Sequence, residues 1–292
     1  MNKFFKILTL FFSIFILFSC EPGRAENGDL LFGVNGSETG GNGGNPTVSK
    51  KLKSVTVDDG TDVITYSYTY NSDGKLTKLK SSDNSGNYEL FYDANKSIDK
   101  ITVTQSDGSL ITTTNFSITY ENGKFKEAKG TGSESDGSKF TNNFTAVYTN
   151  NKVSKITSKM VGIDSADPTV TYDLYTMTSD LTYSGSNLSN WKYKILMPLV
   201  PLPTVEINAT MSNYDTHVNP FGLLPEVFNI IAAHFETDTY AVMGFSANNY
   251  RKINVVSNAD NQNANYVYTY DADGYPTKAV AANLGTLTFQ YQ

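Results

Sequence analysis

Along most of the chain, apolar and polar residues alternate in short runs closed by Asn, Asp, Ser or Gly, the pattern of strands joined by tight turns. A repeat organises these runs. An incoming strand ends in an aromatic residue, a turn follows, and the outgoing strand carries two apolar residues three positions apart. Six copies stand out: Tyr66-Ser67-Tyr68-Thr69-Tyr70 into Leu76 and Leu79, Tyr92 into Ile98 and Ile101, Tyr120 into Phe125 and Ala128, Tyr148 into Val153 and Ile156, Tyr183 into Leu188 and Trp191, and Phe245 into Tyr250 and Ile253. A seventh, Tyr266 to Ala279, diverges. It has Pro276 where the first apolar partner belongs, which suits an edge strand or a bulge.

Two turn lengths occur, and both keep the same pair face to face. In Tyr120-Glu121-Asn122-Gly123-Lys124-Phe125 a two-residue Asn-Gly turn of type I′ sets Tyr120 opposite Phe125. Tyr70-Asn71-Ser72-Asp73-Gly74-Lys75-Leu76 is one residue longer, yet a left-handed Gly74 with a bulge sets Tyr70 opposite Leu76. Lys96 stands where Gly74 would be in the next copy, so that turn is expected to be strained or of another type.

The three-residue spacing decides what the sheet exposes, because strict alternation sends Leu76 and Leu79 to opposite faces. Two readings follow. Without a bulge, the tyrosine face also carries Lys78, Lys100, Glu127, Lys155 and Lys252, an aromatic and charged ladder suited to sugars or solvent. With one residue bulged between the two apolar positions, both join the tyrosines and the sheet gains one apolar side. The bulged reading is preferred, because a sheet with no apolar face has too little to bury.

Residues 198–235 interrupt the repeat, beginning with Pro198-Leu199-Val200-Pro201-Leu202-Pro203, which no central strand could hold. A short strand is expected at Thr204–Thr210. Pro225–Phe235 then reads as the one helix, with Val227, Ile230, Ile231 and His234 on one face and Phe228 and Phe235 widening it. Such a helix must be buried, as a cap or plug in the β structure.

The N-terminus has a different chemistry. Lys3 and Lys6 precede an apolar run from Ile7 to Phe18, too short to span a bilayer, and Ser19 and Cys20 follow: a cleavable secretion signal over residues 1–19. Leu17-Phe18-Ser19-Cys20 resembles a lipobox, with Phe18 bulkier than the usual residue. It implies that the thiol of Cys20, the only cysteine of the 292 residues, is lipidated and becomes the new terminus. Residues 20–46, ending in Gly40-Gly41-Asn42-Gly43-Gly44-Asn45-Pro46, read as a lipidated tether whose coil spans roughly 30 Å. Residues 47–292 remain for a single β domain.

Loss of the signal removes two lysines, leaving 21 basic against 29 acidic side chains and a net charge of −8. Nucleic acid is excluded as a partner on that balance, and the domain as a whole is not drawn to anionic headgroups, so the membrane contact expected is the lipid itself.

Tyr270-Asp271-Ala272-Asp273-Gly274 resembles the YD repeats of bacterial Rhs-type shells. Together with Asn213-Tyr214-Asp215-Thr216-His217-Val218-Asn219-Pro220-Phe221, residues 47–292 resemble an uncharacterised family of Bacteroidetes putative lipoproteins, a domain of unknown function with a porin-like fold. The resemblance implies an all-β, many-stranded antiparallel up-and-down meander curled into a barrel or half-barrel. It brings no catalytic residues.

Reactive constellations are few. A catalytic zinc needs three protein ligands, and only His217 and His234 are present, so no metal or other cofactor is expected. Ser72-Asp73-Gly74-Lys75 has the spacing of a serine acyl enzyme, but that motif needs a helix and this is a turn. Asp271-Ala272-Asp273-Gly274 lacks the later ligands of a calcium loop and also reads as a turn. A carboxylate pair for glycoside hydrolysis stays open, since only separation in space identifies one. The tyrosines favour hairpin packing over stacking platforms, with Trp191 the candidate for ligand contact. A membrane-spanning barrel is disfavoured by mid-strand lysines such as Lys78 and Lys155.

The expectation is therefore a non-enzymatic envelope lipoprotein, in the outer membrane of its cell, with an apolar β interior. Its partners are the membrane through its lipid and either a glycan or a hydrophobic small molecule. A surface glycan-binding lipoprotein is the alternative, and a carboxylate-pair hydrolase a third.

Overall fold

The computed structural model describes residues 50–200, 204–235, 242–257, 261–282 and 284–292. The signal peptide, Cys20 and the tether lie outside them. Tight turns at short intervals leave the chain only antiparallel neighbours to pair with, and its strands follow one another around a closed barrel. They are β1 (Leu52–Asp58), β2 (Val63–Tyr70), β3 (Leu76–Ser81), β4 (Asn87–Tyr92), β5 (Ile98–Asp107), β6 (Leu110–Glu121), β7 (Lys124–Glu134) and β8 (Lys139–Thr149). The second half is β9 (Lys152–Ile163), β10 (Thr171–Ser184), β11 (Asn187–Leu196), β12 (Val205–Val218), β13 (Asn248–Ser257), β14 (Asn261–Tyr270), β15 (Pro276–Ala281) and β16 (Gly285–Tyr291). Pairing of β1 with β16 closes the ring, so the half-barrel alternative falls and the sheet has no free edge.

The bulge is present in the hairpins that carry the repeat. Tyr70 faces Leu76 and Tyr68 faces Leu79, with Thr77 unpaired between them. Tyr92 faces Ile98, Tyr120 faces Phe125, Tyr148 faces Val153, Tyr183 faces Leu188 and Tyr270 faces Pro276, each with the same one-residue slip. Leu76, Leu79, Ile98, Ile101, Val153 and Ile156 are consequently all buried, while Lys78 and Lys155 point outward and pair across strands with Glu89 and Asp180. The mixed tyrosine and lysine ladder of the unbulged reading does not form.

Two features of the repeat differ from expectation. Phe245 is not an incoming aromatic but lies in a 3-10 turn, Met243–Phe245; its place opposite Tyr250 is taken by Tyr214 of β12. Register there runs unbroken from Met211–Ile253 to Tyr214–Tyr250, with Asn213 at φ +55°, and shifts only between Tyr214 and Val218. An eighth copy joins the two ends of the domain: Tyr291 faces Leu52 and Phe289 faces Val55, with Lys53 as the bulged residue.

Lys96 does adopt the left-handed conformation of Gly74, φ +65° against +75°, and keeps the same turn. The Asp93 carboxylate accepts from the Ser97 amide at 2.8 Å, as Asn71 accepts from Lys75 at 2.9 Å. This side-chain bond offsets a strain of about 1 kcal/mol. Asn122 and Gly123 both have positive φ, the type I′ turn expected.

Between hairpins the ladders stop short. The β3–β4 pairing ends at Lys78–Glu89, leaving the Leu76 carbonyl past its last rung, and the Tyr92 hydroxyl donates to it at 2.7 Å. The same occurs where Tyr120 donates to the Ile98 carbonyl (2.8 Å), Tyr291 to that of Pro276 (2.7 Å) and Tyr214 to that of Leu188. At these four places a tyrosine thus completes the backbone of the preceding hairpin.

The interruption falls later than residues 198–235 and encloses more than a helix. Residues 197–200 lie outside any strand, and the expected short strand at Thr204–Thr210 is β12, which begins at Val205 and extends to Val218. Residues 219–247 then hold a 3-10 turn (Pro220–Leu223), the helix α1 (Glu226–Phe235) and the Met243–Phe245 turn. Every residue from Val227 to His234 is buried, as an apolar helix with no solvent face must be. Its rings meet the barrel wall: Phe228 lies edge-on to Tyr88 at 5.4 Å, His234 to Phe144 at 5.2 Å and Phe235 to Phe116 at 5.9 Å. α1 is a plug inside the barrel. Gly130 makes room for it indirectly, since a Cβ there would sit 2.4 Å from the Phe116 ring.

Replacing Tyr92 with Phe removes one hydroxyl and leaves the Leu76 carbonyl without its donor. The expected loss is about 1–2 kcal/mol in urea unfolding with no change of fold. Ile101→Ala, at a position with no exposed surface, is expected to cost about 2–5 kcal/mol by the same measurement.

Candidate functional site

The repeated turns put the eight hairpin tyrosines at one end of the barrel, the tyrosine rim. The residue just before the first apolar position is a lysine in four copies: Lys51-Leu52, Lys75-Leu76, Lys124-Phe125 and Lys152-Val153. Each of these lysines lies over the tyrosine ring of the next hairpin, Lys75 over Tyr92 and Lys124 over Tyr148 at 4.8 Å, Lys152 over Tyr183 at 4.9 Å and Lys51 over Tyr70 at 5.7 Å. Three of them also reach the following turn. Lys75 donates to the Lys96 carbonyl, Lys152 to the Gly185 carbonyl and Lys124 to the Asn151 side chain at 2.8 Å. Among the described residues none of the four has a carboxylate within ion-pair distance.

Between this rim and the plug lies a cavity of about 530 Å³. Tyr70, Tyr92 and Tyr120 line one side with Lys51, Lys75 and Lys96, while Pro220, Leu224 and Glu226 of the plug form the other. Burial pushes the Tyr70 and Tyr120 hydroxyls up to about 12, so they stay protonated and serve as donors at neutral pH. Burial, then the hydrogen bond to Glu226 Oε1 at 2.6 Å, raises Tyr148 as well. The Tyr92 and Tyr120 protons are already given to carbonyls, so lysines, the Tyr70 hydroxyl and the aromatic rings are what this opening offers to an anionic or sugar-like group. They present no activated nucleophile.

The residues singled out from the sequence are placed as follows. Trp191 is 3 % exposed in the wall, its indole N–H donating to Ser179 Oγ at 3.0 Å, and it does not reach the rim cavity. His234 is buried on α1 with Nδ1 3.4 Å from the Ile230 carbonyl and, among the described residues, no partner for Nε2. His217 lies at the rim with its ring 3.9 Å from that of Tyr270, remote in kind from a ligand set, and among the described residues no three metal-ligating side chains cluster. Ser72 and Lys75 occupy a hairpin turn from which Lys75 points to the next hairpin.

Asp271-Ala272-Asp273-Gly274 is also a turn. Asp271 accepts from the Asp273 and Tyr275 amides, and Lys50 bridges both carboxylates at 2.7 and 2.6 Å. Burial works upward on Asp271, but the bond from Lys50 and the backbone amides carry its carboxyl below the ordinary range, the opposite of what a general acid needs. Sequence reading missed the lysine crescent, although a lysine immediately before the first apolar residue is a signal repeated in four copies.

No family model matches the chain, and no curated protein matches it. Among solved structures it is similar to a porin-like protein from Bacteroides vulgatus, with 14 % identity and a TM-score of 0.54 over 84 % of this chain and 99 % of that one. A porin-like protein from Bacteroides uniformis aligns at 14 % identity and a TM-score of 0.47, covering 85 % of this chain and 100 % of its own. At such identity the likeness concerns the fold: a porin-like antiparallel barrel. The comparisons give no support to the Rhs resemblance.

His234 provides a pH test of the packed interior. Burial lowers it from 6.5 to about 4, so the folded state binds fewer protons than the unfolded chain between those values. Stability is complete above pH 6.5 and is lost as pH falls toward 4. The urea-unfolding free energy is expected to drop by about 2 kcal/mol from pH 7 to pH 5 through this group, and His234→Leu to remove that part of the slope.

Proposed function

We propose that this protein is a non-enzymatic cell-envelope lipoprotein, held by an acyl-modified Cys20, whose filled barrel is a scaffold presenting the tyrosine-rim cavity as a binding surface. The observation that supports it is the direction of the apolar face. In each hairpin the bulge turns both apolar positions inward against α1 or its surroundings, while Lys78–Glu89, Lys155–Asp180, Lys159–Asp173 and Lys194–Glu206 form ion pairs on the outer wall. A bilayer-spanning barrel needs the reverse, an apolar band outside, and lysines at the midplane cost about 2–4 kcal/mol each. With α1 in its lumen and charges on its wall, the barrel uses a porin-like fold without the arrangement of a conducting pore.

A surface glycan-binding role is the second reading. It is favoured by Tyr70, Tyr92 and Tyr120 around the rim cavity, since the outer wall does not offer the ladder it first invoked. A hydrophobic small molecule would have to displace α1 from the interior.

Two measurements test the first reading. Cells fed an alkyne fatty acid should label the wild-type chain and not Cys20→Ala, which should leave the membrane fraction; equal labelling of both would end the lipoprotein assignment. Purified protein added to planar bilayers should produce no conductance steps, and stable single-channel steps would show a pore. For the second reading, Tyr120→Ala should weaken any polysaccharide binding by at least about tenfold, the scale of one lost stacking contact.

A further inference from the structure

We infer that the tyrosine rim is the face that rests on the membrane, docking on anionic lipid headgroups. This deepens the lipoprotein reading and rests on it for the proximity of the membrane, but not for the binding chemistry.

Four observations converge. The described chain begins at this rim, where Lys50 is held by Asp271 and Asp273. The half-buried Lys75, Lys124 and Lys152, with the exposed Lys51, form a crescent without carboxylate partners among the described residues. Leu223, at the outer tip of the plug, is 55 % exposed beside them, and the Tyr120 ring is 38 % exposed. An apolar tip, tyrosines and lysines with extended stems are the combination that settles at a bilayer interface, rings at headgroup level and ammonium groups on phosphates. Finally, the described turns of the opposite rim carry Asp59, Asp62, Asp83, Asp136, Asp164 and Asp167, with Lys139 at the start of β8 the cation beside them.

The net charge of −8 is therefore the wrong quantity for this surface. The tyrosine rim has acids of its own, but Asp73, Glu121, Asp271 and Asp273 are paired with Lys96, Lys126 and Lys50 and Glu226 accepts from Tyr148, so the crescent is left uncompensated there, while the turns at the other end of the barrel are acidic. A tether with a span of roughly 30 Å allows this contact without straining the anchor. A soluble partner would not be preferred by an exposed leucine set among cations; a lipid surface satisfies both.

The test uses the mature chain, residues 20–292, with Cys20→Ser, so that no acyl group contributes. It is expected to float with phosphatidylglycerol-containing vesicles, not with phosphatidylcholine alone, and to be released by raised salt, because a surface ionic contact is screened. Lys51→Gln and Lys124→Gln should each weaken partitioning about fivefold. Leu223→Ser should weaken it too, while Lys78→Gln and Lys159→Gln on the outer wall should not. The Leu223 variant and the salt titration carry the test if a lysine change disturbs the rim, which far-UV circular dichroism reports. Equal binding to both vesicle types, no binding to either, equal loss from the wall variants, or rim-dependent dimerisation without lipid would overturn the inference. A failed fatty-acid label with selective vesicle binding would instead remove only the anchor.

Discussion

The structure depends on a hydrogen bond from a tyrosine hydroxyl to a carbonyl that its own sheet cannot serve. A bulge lets two apolar residues share one face, but it also twists each outgoing strand away from the next hairpin, so the ladder between hairpins ends early. The carbonyls of Leu76, Ile98, Leu188 and Pro276 lie beyond that last rung, and Tyr92, Tyr120, Tyr214 and Tyr291 take the place of the missing donors. A phenylalanine would supply the same apolar ring and leave each carbonyl bare. The choice of tyrosine at these four strand ends follows from this requirement, whereas Tyr148 and Tyr270 give their hydroxyls to the carboxylates of Glu226 and Asp215.

From the same constraint follow the filling and the surface. Once both apolar positions of the bulged hairpins face inward, the lumen is lined largely by apolar side chains, and the chain supplies its own occupant in α1. Asn219 and Asn229 fasten that plug. Asn219 donates to the Met243 and Ser246 carbonyls at 2.6 and 3.0 Å, and Asn229 to those of Phe221 and Gly244 at 3.2 and 3.3 Å. The cavity at the rim is the space left where plug and hairpin ends fail to meet, so its lining is set by the repeat on one side and by Pro220–Glu226 on the other.

The sequence made the local grammar legible and the closures between distant segments illegible. Tyr70 against Leu76 could be derived because the turn that brings them together lies between them, and Pro225–Phe235 could be read as a buried helix because its apolar residues surround it. Phe245 misled because it precedes Tyr250 at the repeat spacing, whereas the true partner, Tyr214, lies on the far side of the plug. The join of Tyr291 to Leu52 has no local trace at all, its halves being at opposite ends of the domain. The cavity was hidden for a related reason: Lys51, Lys75 and Lys96 belong to different hairpins, and only closure of the barrel brings them around one opening.

Because the seam between β16 and β1 uses the same tyrosine and bulge as the six tight hairpins, the barrel is cyclic in everything but its peptide bonds. Pairing of Leu52 with Tyr291 waits until the last strand has left the ribosome. Until then the growing sheet is open, with an unpaired edge and an uncovered apolar side.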